Sequence, residues 1–572
     1  MIFLSAQPDT QYFLWQLEIQ LANFSGHGIA ADSIQVLLSY DRQTGLNYKA
    51  KQFIIDHAHL ACFFTYPDSR ENKNYISSVR PHIIQQHFFV HRELSNEVVF
   101  YHDSDIVFTY ELPDFEKLNR DDIWYFSDTR SYLSSHFIKS KHDIIFKEMC
   151  EVMGMEEGFI ADNDVNAGGA QCLLKKVDHN FWAKVEESCN LLYELLEANK
   201  DRYKKIIASA GNVPEEDAGP VSSWCADMWA ILWNSFQQAR VKIDAELNFC
   251  WPHEPIENWN SNKIFHNAGI DLGMSTRFFF KGLYMNRDPF DDDFSFVPED
   301  CSGYNYVKLL NRALSGQRYD LSDVTFLISV RIDSSDRLEN VTTAVRYILE
   351  NFRTHIILLE ADSSSKMDGQ QILDNEEVEY VFILDDKPFF HRQVYNNIMV
   401  KASKTDIIIK YDADIVMSPA QLYYAVLSVR YHDSQVCYPF DGRFISVSGE
   451  LRKHFIKTLQ ISLLLKYLLL SDFSTPSFGG CVVLNKRAFE ETGMDNTNFI
   501  GWGFEDQEIQ KRSKILGLNI KREMGPLFHL EHHRGTHSYF YDFDELISSY
   551  KEYTKICGMR KPELLNYIEQ WA

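Results

Sequence analysis

Ile407-Ile-Ile-Lys-Tyr-Asp412-Ala-Asp414-Ile-Val416 reads as an apolar strand that runs directly into a turn carrying two carboxylates. A short β-branched run ending in polar turn residues is the pattern of a parallel strand covered on both faces. The same grammar recurs far upstream, in Glu97-Val-Val-Phe-Tyr-His-Asp103-Ser-Asp105-Ile-Val107. Two carboxylates at the carboxyl end of a parallel strand can share a hard divalent cation and leave positions for phosphate oxygens. A lone Asp-x-Asp is a weak signal, because most are solvated turns; the strand context and the recurrence raise its weight.

Around each turn an apolar strand is followed by an amphipathic helix, repeatedly. The first series runs from Ile2-Phe-Leu-Ser through a helix from Gln11 to Asn23, a strand at Ile34-Gln-Val-Leu-Leu-Ser, and helices near 181–199 and 224–238. The second starts at Val324-Thr-Phe-Leu-Ile-Ser-Val, with a helix near 338–352 and strands at His355-Ile-Ile-Leu-Leu-Glu and Tyr380-Val-Phe-Ile-Leu. Such alternation predicts an α/β fold of mostly parallel sheets with helices on both faces. The stretch from Asp288-Pro-Phe-Asp to about Asp320 is rich in Pro, Gly and acids and reads as a connection. The expected organisation is a domain over 1–290, a linker over 291–320 and a second domain over 321–572.

Composition narrows the function classes. With 57 basic and 81 acidic side chains the formal charge of the 572 residues is −24, so no general basic surface exists to hold nucleic acid or an anionic membrane. A phosphate-bearing ligand must meet a local pocket, through a bound cation. Hydrophobic residues at 45% and aromatics at 14% exclude a disordered chain. The ten cysteines show no CxxC spacing, which argues against a zinc ribbon or dithiol site and reads as free thiols of a cytoplasmic protein. The start lacks the basic and long apolar regions of a signal peptide, and the most lipid-like stretch, 461–470, is too short to span a bilayer. Peripheral membrane association stays open.

Downstream of the second turn come Ser477-Phe-Gly-Gly480-Cys, Phe499-Ile-Gly-Trp502-Gly-Phe-Glu505-Asp506 and Leu527-Phe-His529-Leu-Glu-His532-His533. Over about 320–540 this order resembles the GT-A glycosyltransferases of the β-1,4-galactosyltransferase and chondroitin-polymerase type. The resemblance implies that Asp412 and Asp414 bind metal with a late histidine, His529 first and His532 second, with His533 also open. It implies Asp506 as the base that takes the acceptor proton, Glu505 as its orienting partner, and Trp502 and Gly480 at the sugar site. Glycosyl transfer from a nucleotide diphosphate needs these parts on chemical grounds too, namely a Lewis acid on the departing diphosphate and a carboxylate on the acceptor hydroxyl. Arg331 and Asp333 after the first strand, Glu360 at the end of the second, and Arg392 in Phe390-His-Arg are the nucleotide-binding candidates. For acids at a helix start the plain alternative is a favourable dipole contact.

In the first half, Asp103-Ser-Asp105, Asp164-Val-Asn166-Ala-Gly, Asp227 in a helix, His266-Asn-Ala-Gly and Lys281-Gly follow one another. This order is similar to retaining GT-A enzymes of the glycogenin and lipopolysaccharide-galactosyltransferase type. It implies Asp103, Asp105 and His266 as metal ligands, with Lys281, Asn166 and Asp227 as substrate contacts. The fold expected from both resemblances is two GT-A, Rossmann-like domains in tandem. The expected activity is a bifunctional hexosyltransferase for polysaccharide synthesis, with one Mn²⁺ or Mg²⁺ per domain, a UDP-sugar donor and a glycan or lipid-linked acceptor. Two alternatives stand beside it: a single active C-terminal transferase with a non-catalytic, acceptor-binding first domain, and a non-enzymatic glycan-binding scaffold.

Overall fold

The computed structural model describes residues 1–313, 318–466, 477–500, 503–533 and 543–571. Two units are present. The first comprises Met1–Met285 and Phe294–Ala313, the second Asn286–Asp293 and Leu314–Ala572. Within 291–320, a helix covers Ser302–Ala313.

The first unit is built on β1 (Ile2–Pro8), β2 (Ile34–Asp41), β3 (Cys62–Asp68), β4 (Val98–Tyr101), β5 (Ile106–Phe108), β6 (Trp124–Asp128), β7 (Gly168–Lys175), β8 (Val241–Ile243), β9 (Phe249–Cys250) and β10 (Ile264–His266). Seven of them form one sheet in the order β3-β2-β1-β4-β7-β6-β8, and β5-β10-β9 form a smaller one. In the large sheet β7 runs antiparallel to β4 and β6, and the other pairings are parallel.

Neighbouring residues of the central strands bury against opposite layers, as the two-residue period of a strand dictates. Phe3, Val36 and Phe100 join Leu14, Leu17 and Phe24 of the helix Gln11–Gly26. Leu4, Leu37 and Val99 join Ile83 and Phe88 of the helix Val79–Val90, Trp182 of His179–Ala198 and Trp229 of Ala226–Gln238. A sheet covered on both faces needs near-continuous apolar strands, which is why the strand runs were visible in the sequence.

The second unit contains β11 (Tyr319–Val330), β12 (Phe352–Asp362), β13 (Val378–Leu384), β14 (Ile407–Tyr411), β15 (Ile415–Val416), β16 (Val436–Tyr438), β17 (Phe444–Val447), β18 (Cys481–Asn485), β19 (Ile520–Arg522) and β20 (Leu527–Leu530). Its large sheet has the order β13-β12-β11-β14-β18-β16-β19, and its small sheet β15-β20-β17. Here β18 is the antiparallel member. Strand for strand, the two units share one order and one set of directions. They differ in where the third small-sheet strand lies in the chain, β9 after β8 but β17 before β18. The expected α/β class with two mostly parallel sheets is what the chain adopts.

The expected helices at 11–23, 181–199, 224–238 and 338–352 correspond to Gln11–Gly26, His179–Ala198, Ala226–Gln238 and Ser335–Asn351. None of the ten cysteines is in a disulfide, and seven are buried. Among the described residues no helix is long and apolar enough to cross a membrane.

Candidate active sites

In the second unit β14 ends at Tyr411 and the chain turns through Asp412 and Asp414 into β15. The turn is fixed by backbone bonds: the Asp412 N–H donates to Gly480 O at 2.9 Å, and the Leu530 N–H to Asp414 O at 2.8 Å. Because Ile415 pairs with His529 across β15 and β20, the His529 ring comes beside Asp414. His529 Nε2 lies 3.7 Å and His532 Nε2 3.1 Å from Asp414 Oδ2. Asp414, His529 and His532 together offer ligand atoms within 4.8 Å of one another. Burial opposes ionisation of Asp414, but the two imidazoles outweigh it and hold its pKa well below the ordinary carboxylate range. His533 stays exposed; its N–H donates to Asp336 and its carbonyl meets His532 Nδ1. The His529 ring also packs on Phe444, the centroids 5.4 Å apart.

Asp412 faces another way, toward the guanidinium of Arg392 at the start of the helix Arg392–Ala402. The same guanidinium lies 4.0 Å from Glu505. Glu505 and Asp506 open the helix Glu505–Leu516, where the helix dipole favours acids. Burial, and then Asp506, push the Glu505 carboxyl up to about 7. Its Oε2 accepts the Gly503 N–H at 2.8 Å. Phe504, which caps this helix, has φ +67°, a left-handed conformation costing a non-glycine residue of order 1–3 kcal/mol. A Cβ on Gly479 would stand 2.5 Å from Asp506 Oδ2, so only glycine leaves room for that carboxylate. Gly480 has φ +104°, and its carbonyl anchors Asp412.

The remaining candidates of this unit are engaged by protein groups. Buried Arg331 donates to Ala361 O at 2.9 Å, Lys387 O at 2.8 Å and Asp385 Oδ2 at 2.6 Å. Asp333 pairs with Arg337 at 3.1 Å. The fully buried Glu360 accepts from the Lys366 N–H at 2.8 Å, the Met367 N–H at 3.3 Å and Tyr380 Oη at 2.5 Å, and so pins the loop after β12. Trp502 lies outside the described residues.

The first unit repeats this construction. The Asn267 N–H donates to Asp105 O at 3.0 Å, as the Leu530 N–H does to Asp414 O. His266 pairs with Ile106 across β10 and β5. His266 Nε2 lies 3.6 Å from Asp103 Oδ2 and 3.4 Å from Asp105 Oδ1, and the three residues offer ligand atoms within 4.8 Å of one another. Lys281 bonds to Asp105. Burial raises the Asp105 pKa, but Lys281 and His266 outweigh it and draw it well below the usual range. Arg80, on the helix that follows β3, bridges Asp103 and Asp227. Asp227 is second in the helix Ala226–Gln238; Tyr75 Oη donates to it at 2.8 Å, and burial raises its pKa. Trp251 stacks on His266 with centroids 5.5 Å apart, and Phe249 meets the same ring at 5.3 Å. Asn166 is half-buried in the turn before β7.

The structure therefore brings Asp103, Asp105, His266, Lys281 and Asp227 into one network, and Asp412, Asp414, His529, His532, Arg392, Glu505 and Asp506 into another neighbourhood. Arg80, Tyr75, Trp251, Phe249, Phe444 and Gly479 were missed. A positional signal for Arg80 existed, since Arg80 and Arg392 open the helices after the third strand of each sheet and both hold the first Asp of the turn.

Residues 464–534 match the family described as the N-terminal domain of galactosyltransferase. No curated protein matches the chain. Among solved structures, the chain is similar to the catalytic domain of a Drosophila β1,4-galactosyltransferase 7 in complex with xylobiose. Identity is 16%, the match covers 36% of this chain and 65% of that one, and the TM-score is 0.23. It is also similar to GalNAc-T7 with UDP, GalNAc and Mn²⁺, at 12% identity, 41% and 47% coverage and TM-score 0.29.

Proposed function

We propose that the chain is a metal-dependent glycosyltransferase with two transfer sites, moving sugars from UDP-sugar donors to a glycan acceptor, and that its C-terminal unit inverts the anomeric centre. The observation that carries this reading is the joint presence of an Asp414–His529–His532 cluster and an Arg392–Asp412–Glu505–Asp506 group. Both lie in a unit whose residues 464–534 match a galactosyltransferase domain.

The donor set fits a divalent cation. Carboxylate oxygens suit Mg²⁺ and Mn²⁺, and imidazole nitrogens tilt the mixture toward Mn²⁺. Bound there, the ion would act as a Lewis acid on the departing diphosphate. Asp414, His529 and His532 would hold it in the second unit, and Asp103, Asp105 and His266 in the first. Arg392 supplies a planar cation for phosphate oxygens beside Asp412. Glu505, with its pKa near 7, can donate or accept a hydrogen bond to an acceptor hydroxyl. Asp506 takes the proton of the attacking hydroxyl as its oxygen bonds to the anomeric carbon, and the electron pair of the breaking C–O bond leaves on the diphosphate. One displacement inverts the centre. Two joined units would present each product to the other site at high effective concentration.

A second reading, in which the first unit only holds acceptor, draws on Arg80 and Lys281 already neutralising Asp103 and Asp105. Transfer from a panel of UDP-sugars with Mn²⁺, on wild type, Asp506→Asn and the Asp103→Ala/Asp105→Ala double variant, decides the matter. Separate loss of two linkages supports two sites. Full transfer by Asp506→Asn, with all activity lost in the double variant, would overturn the assignment of the main site.

A further inference from the structure

The first unit contains a cavity of about 410 Å³ lined by Asp128, Arg130, Ser131, Asn248, Phe249 and Asn262. We propose that it is the acceptor subsite of that unit and takes one pyranose residue of the glycan; this rests on the transferase reading above. Its size falls in the range of about 300–1,000 Å³ usual for small-ligand sites.

The lining has the chemistry of a neutral sugar site. Asp128 is charge-balanced by Arg130, whose Nε donates to Oδ1 at 3.0 Å and whose Nη2 donates to Oδ2 at 2.6 Å. A diphosphate would require surplus positive charge, which a balanced pair does not offer. Planar amides and a carboxylate suit vicinal hydroxyls. Asn248 accepts the Asp128 N–H at 3.3 Å through Oδ1, and its amide N–H₂ has no protein partner among the described residues. Phe249 supplies the apolar face on which the C–H side of a pyranose can rest.

Phe249 also fixes the relation of this cavity to the charged cluster, because this lining residue sets its ring 5.3 Å from the ring of His266. The second unit repeats that placement. Phe249 opens β9 and pairs with Ile264, two residues before His266; Phe444 opens β17 and pairs with Leu527, two residues before His529. The Phe444 ring stands 5.4 Å from His529 and remains 36% exposed. The two strands occupy different places in the chain, yet each sets a phenylalanine ring beside the histidine.

The test uses the full-length chain and photoreactive diazirine glycosides of glucose, galactose, N-acetylglucosamine and N-acetylgalactosamine. Labelled peptides are mapped by mass spectrometry, and Mn²⁺–UDP binding is followed by calorimetry. Label from at least one glycoside should fall on 128–131 and 248–262. It should drop at least fivefold in both Phe249→Leu and Asp128→Asn, while UDP binding to Asp128→Asn changes less than twofold. Label that avoids these peptides with every glycoside, that survives both variants, or that UDP displaces would overturn the proposal. Intact labelling in a protein that transfers sugar from no UDP donor would instead sink the transferase reading and leave the saccharide site standing.

Discussion

Gly479 and Asp506 meet so closely that a Cβ at position 479 would lie 2.5 Å from Asp506 Oδ2. The carboxylate can hold its position only against a residue without a side chain. Gly479→Ala should displace Asp506 and lower kcat at least tenfold while leaving UDP affinity within about threefold. Steady-state kinetics beside calorimetry checks this, and an unchanged kcat would remove Asp506 from the chemistry.

Beneath the same turn, Lys410 Nζ bonds to Asp495 Oδ1 at 2.6 Å, both residues being buried. Asn396 donates to the other Asp495 oxygen at 3.0 Å. Removing one member of such a pair strands a charge in a dry site, at a cost of about 3–5 kcal/mol. Lys410→Met should therefore destabilise the second unit by about that amount in urea denaturation. Adding Asp495→Asn should recover a large part of the loss.

Asp291 is pushed up to about 7, by burial first and then by Asp288, with Asp292 adding and Ser418 and Arg287 opposing. A folded-state pKa above the ordinary 3.8 means that the folded form binds the extra proton. Its contribution to stability is full below about pH 3.8 and is lost as pH rises through 7. Asp291→Asn should thus be more stable than wild type at pH 8, by at least about 1 kcal/mol, with the difference shrinking steadily toward pH 4. Thermal melts across that range read it directly.

Each carboxylate–histidine cluster sits in its own unit, so under the proposed function Mn²⁺ titration followed by electron paramagnetic resonance should give two sites per chain. Asp414→Ala should weaken one by at least tenfold and Asp105→Ala the other. Loss of both sites in either variant would contradict two independent clusters.

What the sequence made legible is what lies within a few residues of a strand. Continuous apolar runs ending in Asp-x-Asp declared β4 and β14 because both faces of those strands are covered. The histidines were placed beside their aspartates by resemblance and not by any local pattern, since it is register across β5–β10 and β15–β20 that carries His266 and His529 there. Arg80 reaches Asp227 across 147 positions, and no local pattern marks that bond. Burial tells the same story for Arg331 and Glu360. Their charges looked available for a nucleotide, yet backbone amides and carbonyls brought in by neighbouring loops occupy them.

The two units interleave along the chain, because 286–293 belongs to the second unit while 294–313 returns to the first. Any single truncation point consequently damages one half. A fragment ending at 313 carries away the strip whose Asp288 accepts from Tyr424 at 2.9 Å and whose Asp291 accepts from Ser418. A fragment beginning at 314 leaves that seat bare. Dissecting this protein into working halves requires a rearranged gene, in which 286–293 is fused ahead of residue 314 and a short spacer closes the gap between 285 and 294.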